Sequence, residues 1–342
     1  MRILITGVGA PGTRGTMDLL QFNPEQRYTY TLGVDTNKYA AGASMCDAFT
    51  TVPPADHDEY QQVIASIVID HGIDVIVPQT GAESLELSNG LMDYLSVAPM
   101  YHPQKLATDK WSFGLAMMPY VLQPKTINVH NYQELCAALD ELGADKNLVF
   151  IKPREGNGSR GCYVVAPRHY DTFETLSRMK PGAIMNKWQL IETGLRSINS
   201  EFSYLIQEYL PGKEYSVDCF FDGKIFYSNV RERLKVVNGI AFECKNVAKF
   251  DIRANCEAIA RDLNMTGVFG FQFKEDAEGV PKLIECNPRV QGTMVASGLD
   301  NPHYNMVWRG IKWILGEDQI DYPIEDMTNK RFVRYWGGDY VG

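Results

Sequence analysis

Three short stretches of the chain carry residue types that do chemistry together. In Leu283-Ile-Glu-Cys-Asn-Pro-Arg289, the residues Glu285, Asn287 and Arg289 recur at every second position. On a strand such residues project from one face, so two oxygen-bearing side chains would stand side by side with a guanidinium beyond them. Hard cations such as Mg²⁺ take oxygen ligands of this kind and share them with phosphates. Gln272, on the preceding strand of the same expected hairpin, would add an amide oxygen. In Phe150-Ile-Lys-Pro-Arg-Glu-Gly-Asn-Gly-Ser-Arg-Gly161, three glycines, Gly156, Gly158 and Gly161, leave backbone N–H groups free to approach an anion. Lys152 and Arg160 add positive charge at the two ends of that loop. It is not a P-loop, because it joins two strands and lacks the G-x-x-x-x-G-K-[ST] spacing; the alternative is a hairpin turn with incidental charges. The third stretch, Leu205-Ile-Gln-Glu-Tyr-Leu-Pro-Gly-Lys-Glu214, reads by itself only as a strand and a turn.

Two further stretches carry open alternatives. Gly7-Val-Gly-Ala-Pro-Gly12 follows the apolar run Arg2–Thr6 with G-x-G-x-x-G spacing, and a second apolar run ends at Asp35, where a ribose-binding acid belongs. That is the pattern of an NAD(P)-dependent oxidoreductase. The same glycines also suit any first βα unit, where helix and strand pack closely, with Gly9 and Gly12 as the packing and close-approach positions. Arg231-Glu-Arg-Leu-Lys235 places charge on a strand-like stretch. Arg231 or Arg233 would take a substrate carboxylate bidentately, or the stretch is a solvated edge strand.

The elements that must position these residues fall into two patterns. Up to about residue 100, short apolar runs (2–6, 29–35, 73–77) alternate with helical segments (Glu59 to Asp70, and from about Glu83), which predicts a parallel sheet with helices on both faces. Pro99-Met-Tyr-His-Pro103 reads as a linker. From about 148 onward, apolar runs come in pairs joined by short turns, which predicts antiparallel sheet. Leu148–Ile151 pairs with Cys162–Val165, Glu214–Phe221 with Lys224–Tyr227 across Asp222-Gly223, and Val268–Phe273 with Lys282–Cys286. A helix is expected over Ala254 to Met265. The tail from about Asp318 would add an edge strand or cover the site.

Composition removes several function classes. The 342 residues are 45% hydrophobic and 22% charged, which suits two or three globular domains. A net charge of -9 argues against a general nucleic-acid binder. The seven cysteines form no C-x-x-C pair, so neither a disulfide framework nor a zinc site is implied. The first six residues are too short for a signal peptide and no run approaches the length of a membrane span. The expectation is a cytoplasmic protein with no membrane partner.

In their order along the chain, the first three stretches resemble the ATP-grasp superfamily, and in particular carbamoyl-phosphate synthase large-subunit modules and single-module amino-acid ligases. The resemblance covers about residues 1 to 315. It implies an α/β Rossmann-like domain at 1–104, an α+β ATP-grasp domain with antiparallel sheets at 105–317 with a glycine-loop lid subdomain at about 122–206, and a tail at 318–342. Lys110 and Lys152 would reach the ATP phosphates, with Gly156, Gly158, Ser159, Arg160 and Gly161 closing over them. Backbone at Glu208 and Leu210 would hold adenine, and Glu214 the ribose. Gln272, Glu285 and Asn287 would bind Mg²⁺, with Mn²⁺ as a substitute; many members have an acid at the position of Gln272, so less charge is left for a second ion. Lys152, Arg289 and Arg231 would act at the reacting groups. The N-terminal domain would hold the acceptor through Gly7 to Arg14 and Pro78-Gln-Thr-Gly-Ala-Glu83. The implied reaction is ligation of a small carboxylate to an amine or thiol through an acyl phosphate, by a monomer or a homodimer. The competing classes are the oxidoreductase and a non-catalytic nucleotide-binding protein.

Overall fold

The computed structural model describes residues 1–156, 161–167, 203–237, 239–323, 330–335 and 337, and the backbone of 184–186. Two compact units gather from interleaved stretches. The first takes residues 1–107, 213–273 and 285–342, and the second takes 108–212 and 274–284.

The first unit opens with β1 (Arg2–Thr6), helix α1 (Thr13–Gln21), β2 (Tyr30–Asp35), β3 (Ala48–Thr51), helix α2 (Tyr60–His71) and β4 (Val75–Pro78). The strands form a parallel sheet in the order β3-β2-β1-β4. Both faces of β1 and β4 are covered, which is why these two strands read as near-continuous apolar runs. Ile3, Ile5, Val75 and Val77 enter one core with Leu19 and Leu20 of α1 and Trp308 and Ile311 of the helix Met306–Ile314. Leu4 and Ile76 point the other way, against Tyr60, Ile64 and Val68 of α2. A slip of one residue would exchange the two sets, so the pairing register is strongly specified. The chain leaves β1 on one side for β2 and returns on the other for β4, so the topological switch point lies between β1 and β4.

After β4, helix α3 (Gly81–Ser88) begins under the Thr80 cap. The expected linker at 99–103 is instead the entry to a helix, α4 (Tyr101–Thr108). Pro103 sits in its first turn, where a missing N–H breaks no helical hydrogen bond.

The second unit contains α5 (Lys110–Met117), β5 (Thr126–Val129), α6 (Tyr132–Glu141), β6 (Val149–Pro153), β7 (Tyr163–Ala166), β8 (Ile184–Asn186) and β9 (Tyr204–Glu208), with the sheet order β5-β9-β6-β7-β8. The hairpin around the glycine loop has the expected antiparallel register, Val149 opposite Val165 and Ile151 opposite Tyr163. β7 and β8 run parallel, an exception to the antiparallel pattern expected after residue 148. Leu135, Ala138 and Leu139 of α6 pack on Val149, Ile151 and Ile206.

A larger sheet has the order β14-β13-β10-β11-β12-β15. Its strands are β10 (Glu214–Phe221), β11 (Phe226–Val237), β12 (Ile240–Asn246), β13 (Gly267–Glu275), β14 (Pro281–Asn287) and β15 (Arg331–Val333). The β10–β11 turn forms where Asp222-Gly223 stands: Gly223 has φ 93°, and the Asp222 carboxylate accepts the Lys224 and Ile225 N–H groups at 2.7 and 2.6 Å. β11 runs far past Tyr227 and pairs on both sides. Arg231-Glu-Arg-Leu-Lys235 is therefore not an edge strand, and Arg231, Glu232 and Arg233 are buried. The expected helix lies at Phe250–Asp262. The tail does add an edge strand, β15, against β12. Among the described residues no helix is long and apolar enough to cross a membrane.

Candidate functional site

At the turn after β1, Gly7 is the glycine under the strongest constraint. Its φ is 65°, and a Cβ there would fall on the Glu83 carboxylate. Gly9 donates its N–H to Asp35 Oδ2 at 2.7 Å, and Asn37 donates to Oδ1 at 2.9 Å. Both Asp35 oxygens thus help to hold their own turn. Gly12 is not the close-approach glycine expected: it stands in a helical conformation, and a Cβ there would meet nothing nearer than Gln79 Oε1 at 3.8 Å. Glu83 closes the corner, accepting from the Thr80 hydroxyl at 2.8 Å. Burial raises its pKa to about 7, against the hydrogen bond from Thr80.

β14 and the residues after it carry the oxygen-rich set. Asn287 is buried and its Oδ1 accepts from Arg289 Nη2 at 3.4 Å, while Arg289 Nη1 donates to the Val290 carbonyl at 2.8 Å. Burial lowers the Arg289 pKa, and the Glu285 charge opposes it. On β13, the alternate residues Phe269, Phe271 and Phe273 are fully buried, which turns Gln272 to the opposite face. Gln272 Oε1 accepts from Arg233 Nη1 at 3.0 Å, and the same guanidinium pairs with Glu214 and the Gly239 carbonyl. Arg233 therefore ties the expected ribose acid to the expected metal ligand. Two amide oxygens and one carboxylate are the hard donors that Mg²⁺ accepts.

The loop after β14 is pinned from two sides within the first unit. Ser84 Oγ reaches the Pro288 carbonyl at 2.9 Å. Asp218 of β10, fully buried, accepts from Gln291 Nε2 at 2.7 Å, Thr293 Oγ1 at 2.6 Å and the Ser297 hydroxyl. Burial raises the Asp218 pKa, while these donors and the Arg231 charge oppose the rise. Arg231, 1% exposed, donates Nη1 to Asn246 Oδ1 at 2.9 Å.

In the second unit, Lys152 ends β6 and is 7% exposed. Its Nζ donates to the carbonyl of Ile284 at 3.0 Å, one residue before Glu285. Lys110 Nζ donates to the Gly156 carbonyl at 2.6 Å, at the entry to the glycine loop. Gly156 and Gly161 have φ 108° and 71°, backbone that favours glycine. Gly158, Ser159 and Arg160 lie outside the described residues. The Glu208 N–H is taken by the Lys125 carbonyl at 3.0 Å, and its carboxylate by the Lys125 N–H and the Lys282 ammonium, both at 2.7 Å. Leu210 follows, buried and beyond the strand pairing of β9.

Asp218, the double pairing of Arg233, and Arg334, which donates to the Gly292 and Ala241 carbonyls, do not stand out in the sequence. The signal available was weak: an acid among apolar residues on a strand, and an arginine close to the C-terminus.

Residues 201–333 match the family described as ATP-grasp in the biosynthetic pathway with Ter operon. No protein of curated function matches the sequence. Among solved structures, the chain is similar to the N5-carboxyaminoimidazole synthetase of Staphylococcus aureus complexed with ADP, at 16% identity and TM-score 0.67, covering 94% of this chain and 78% of that one. The biotin carboxylase domain of the Hydrogenobacter thermophilus 2-oxoglutarate carboxylase, solved with MgADP, ADP and bicarbonate, gives 15% identity and TM-score 0.69 over 96% and 73%. The L-amino acid ligase of Bacillus licheniformis gives 11% and 0.61 over 91% and 74%. With its parallel N-terminal sheet and its antiparallel sheets, the chain has the fold of these solved structures, and its residues 201–333 carry the match to the ATP-grasp family model.

Proposed function

We propose that the protein is an ATP-dependent ligase that joins a small-molecule carboxylate to an amine, with ADP and phosphate as products. The observation that carries this reading is the buried Lys152 ammonium, held on the Ile284 carbonyl at 3.0 Å within the second unit, together with Lys110 on the Gly156 carbonyl at the entry to the glycine loop. Two lysines at a glycine loop suit the triphosphate of ATP. Solved structures of the same fold contain ADP and MgADP, which supports ATP and Mg²⁺ here.

In this reading Lys110, Lys152 and the loop from Gly156 to Gly161 hold the phosphates and shield them from water. The chain around Glu208 and Leu210 holds adenine. Glu214 takes the ribose, exchanging its Arg233 partner for the hydroxyls. Gln272, Glu285 and Asn287 would hold Mg²⁺, which when bound neutralises phosphate charge. A substrate carboxylate oxygen attacks the γ-phosphorus as the bond to the β-bridging oxygen breaks, giving ADP and an acyl phosphate. The amine nitrogen then attacks the acyl carbon, phosphate leaves and the nitrogen loses its proton. Arg289 faces the developing phosphate charge. Positioning and charge neutralisation do most of the work in such transfers, so no nucleophilic side chain is required.

The test is ADP release with ATP and Mg²⁺ across a panel of carboxylates, with hydroxylamine present to trap any acyl phosphate as a hydroxamate. Lys152→Ala and Glu285→Gln should each lower kcat by roughly a hundredfold or more. Full activity in both variants would sink the assignment.

A further inference from the structure

We propose that Asp218, a buried acid of β10, is a positioning residue: its carboxylate anchors the loop 288–293 and thereby sets the place of Arg289. Its part in ligation rests on the ligase reading; the anchoring itself rests on contacts within the first unit.

β10 lies in mid-sheet, between β13 and β11. A carboxylate buried there has left water behind, so it persists only with donors and a counter-charge. Its Oδ1 accepts from Gln291 Nε2 at 2.7 Å and from Thr293 Oγ1 at 2.6 Å, and its Oδ2 accepts from the Ser297 hydroxyl. Thr293 stands at the N-cap of the helix Met294–Asp300, yet its side chain makes no capping bond. Its hydroxyl goes to Asp218 instead, and Ser297 follows one turn later on the same helix face. A carboxylate has lone pairs for all these donors; an amide in its place would give up one oxygen and turn N–H groups towards them. The counter-charge is Arg231, also buried. In the β10–β11 register Arg231 stands opposite Ser216 and Asp218 opposite Asn229, so the two charges are diagonal neighbours on one face. Neutral groups join them. Arg231 Nη1 donates to Asn246 Oδ1 at 2.9 Å, and Asn229 Nδ2 donates to that oxygen and to Ser297 Oγ, both at 2.8 Å. The Ser297 hydroxyl thus takes one hydrogen bond from Asn229 and gives its own to Asp218, which fixes its direction; such buried networks specify one geometry.

What the network holds is the chain that leaves Glu285 and Asn287. A Cβ on Gly270 would fall 2.2 Å from Gln291 Nε2, so the Gln291 amide lies directly over β13. Gly270 precedes Gln272 by two positions and shares its face of the strand. Asp218 therefore keeps the loop against the strand that presents Gln272, an expected metal ligand. Ser84 holds the other end of the loop, at the Pro288 carbonyl, with 2.9 Å between the atoms. Arg289 stands between these two anchors and donates within its own stretch, to the Val290 carbonyl and to Asn287 Oδ1. Its place is set by where the loop is held.

The experiment compares the full chain with its Asp218→Asn, Thr293→Val and Thr293→Ser variants. Hydrogen exchange is followed by mass spectrometry over residues 288–297, and hydroxamate formation gives kcat and the KM for ATP. In Asp218→Asn and Thr293→Val the amides of 288–297 should exchange roughly tenfold faster or more, while those of β1 keep their wild-type rate. In the same two variants kcat should fall by roughly tenfold or more, with KM for ATP within about twofold of the wild type. Thr293→Ser keeps the hydroxyl and should hold exchange and kcat within about threefold of the wild type. Thr293→Val keeps the shape of threonine and leaves Asp218 in place, so it carries the test if Asp218→Asn fails to fold. Wild-type exchange in Thr293→Val, or an equal loss in Thr293→Ser and Thr293→Val, would overturn the anchoring. Faster exchange in a protein whose wild type forms no hydroxamate removes the ligase reading and keeps the anchor. Faster exchange with unchanged kcat does the reverse: it removes the positioning role and leaves the ligase reading standing.

Discussion

Glu83 is where burial and chemistry pull against each other most openly. Burial moves its pKa from 4.5 to about 7, outweighing the opposing hydrogen bonds from Thr80 and Thr6. The groups facing it are Asp35 from β2 and Tyr60 from α2, with Glu86 on its own helix adding to the field at Tyr60. A carboxyl raised in the folded state keeps its proton when the unfolded chain has lost it. Stability is therefore fully present below about pH 4.5 and is lost as pH rises towards 7, to a limit of about 3 kcal/mol. Glu83→Gln has no such titration. In urea unfolding it should exceed the wild type at pH 8 by roughly 1–3 kcal/mol, with the gap closing by pH 5. A gap independent of pH would show that Glu83 is not the group responsible.

Among elements, the junction of α5 with the exit from β6 holds Lys110, one of the two lysines proposed to reach the phosphates. Asp109 caps α5 through the Trp111 and Ser112 N–H groups, and it also binds the Ser112 hydroxyl and the Arg154 guanidinium. Burial alone would raise the Asp109 pKa, but Arg154 and Ser112 hold it well below the ordinary carboxylate value. The Lys110 N–H rests on the Arg154 carbonyl at 3.2 Å, so helix and strand end move together. Asp109→Ala removes a cap and a charged hydrogen bond and should cost about 2 kcal/mol. The readout specific to the ATP reading is kinetic: KM for ATP should rise several-fold while KM for the carboxylate stays within twofold. Equal KM values for ATP in both proteins would mean that this junction does not present the lysines.

At the scale of the whole molecule, two units built from interleaved segments share one chain. Lys110, Lys152 and Gly156, proposed to hold the phosphates, belong to the second unit, while Glu214, Gln272, Glu285 and Asn287 belong to the first. A ligand that binds only the folded protein stabilises it by about 2.7 kcal/mol at a hundred times its Kd. ATP with Mg²⁺ should therefore raise the thermal midpoint by several degrees, and NADH at the same concentration should leave it unchanged. The opposite ranking would return the Gly7 to Gly12 turn to dinucleotide chemistry.

Short-range chemistry was readable from the amino-acid order. Alternation placed Glu285 and Asn287 on one strand and Gln272 on its neighbour, Asp222-Gly223 predicted its turn, and the glycines between β6 and β7 predicted their hairpin. These features depend on residues a few positions apart, whose geometry the backbone alone dictates. Other assignments needed the tertiary structure. Asp35 lies 26 residues from the Gly9 amide that engages it, Asp218 lies 75 from Thr293, and Arg334 lies 42 from the Gly292 carbonyl. Whether a charge is free for a ligand or taken by the fold depends on such distant partners, because a buried ion must find compensation wherever the chain supplies it. The sequence by itself determined the strands, the turns and the grouping of chemical residue types; only the tertiary structure decided that Asp35 holds the Gly9 turn, that Arg231 is buried in mid-sheet, and that Arg334 is held by carbonyls.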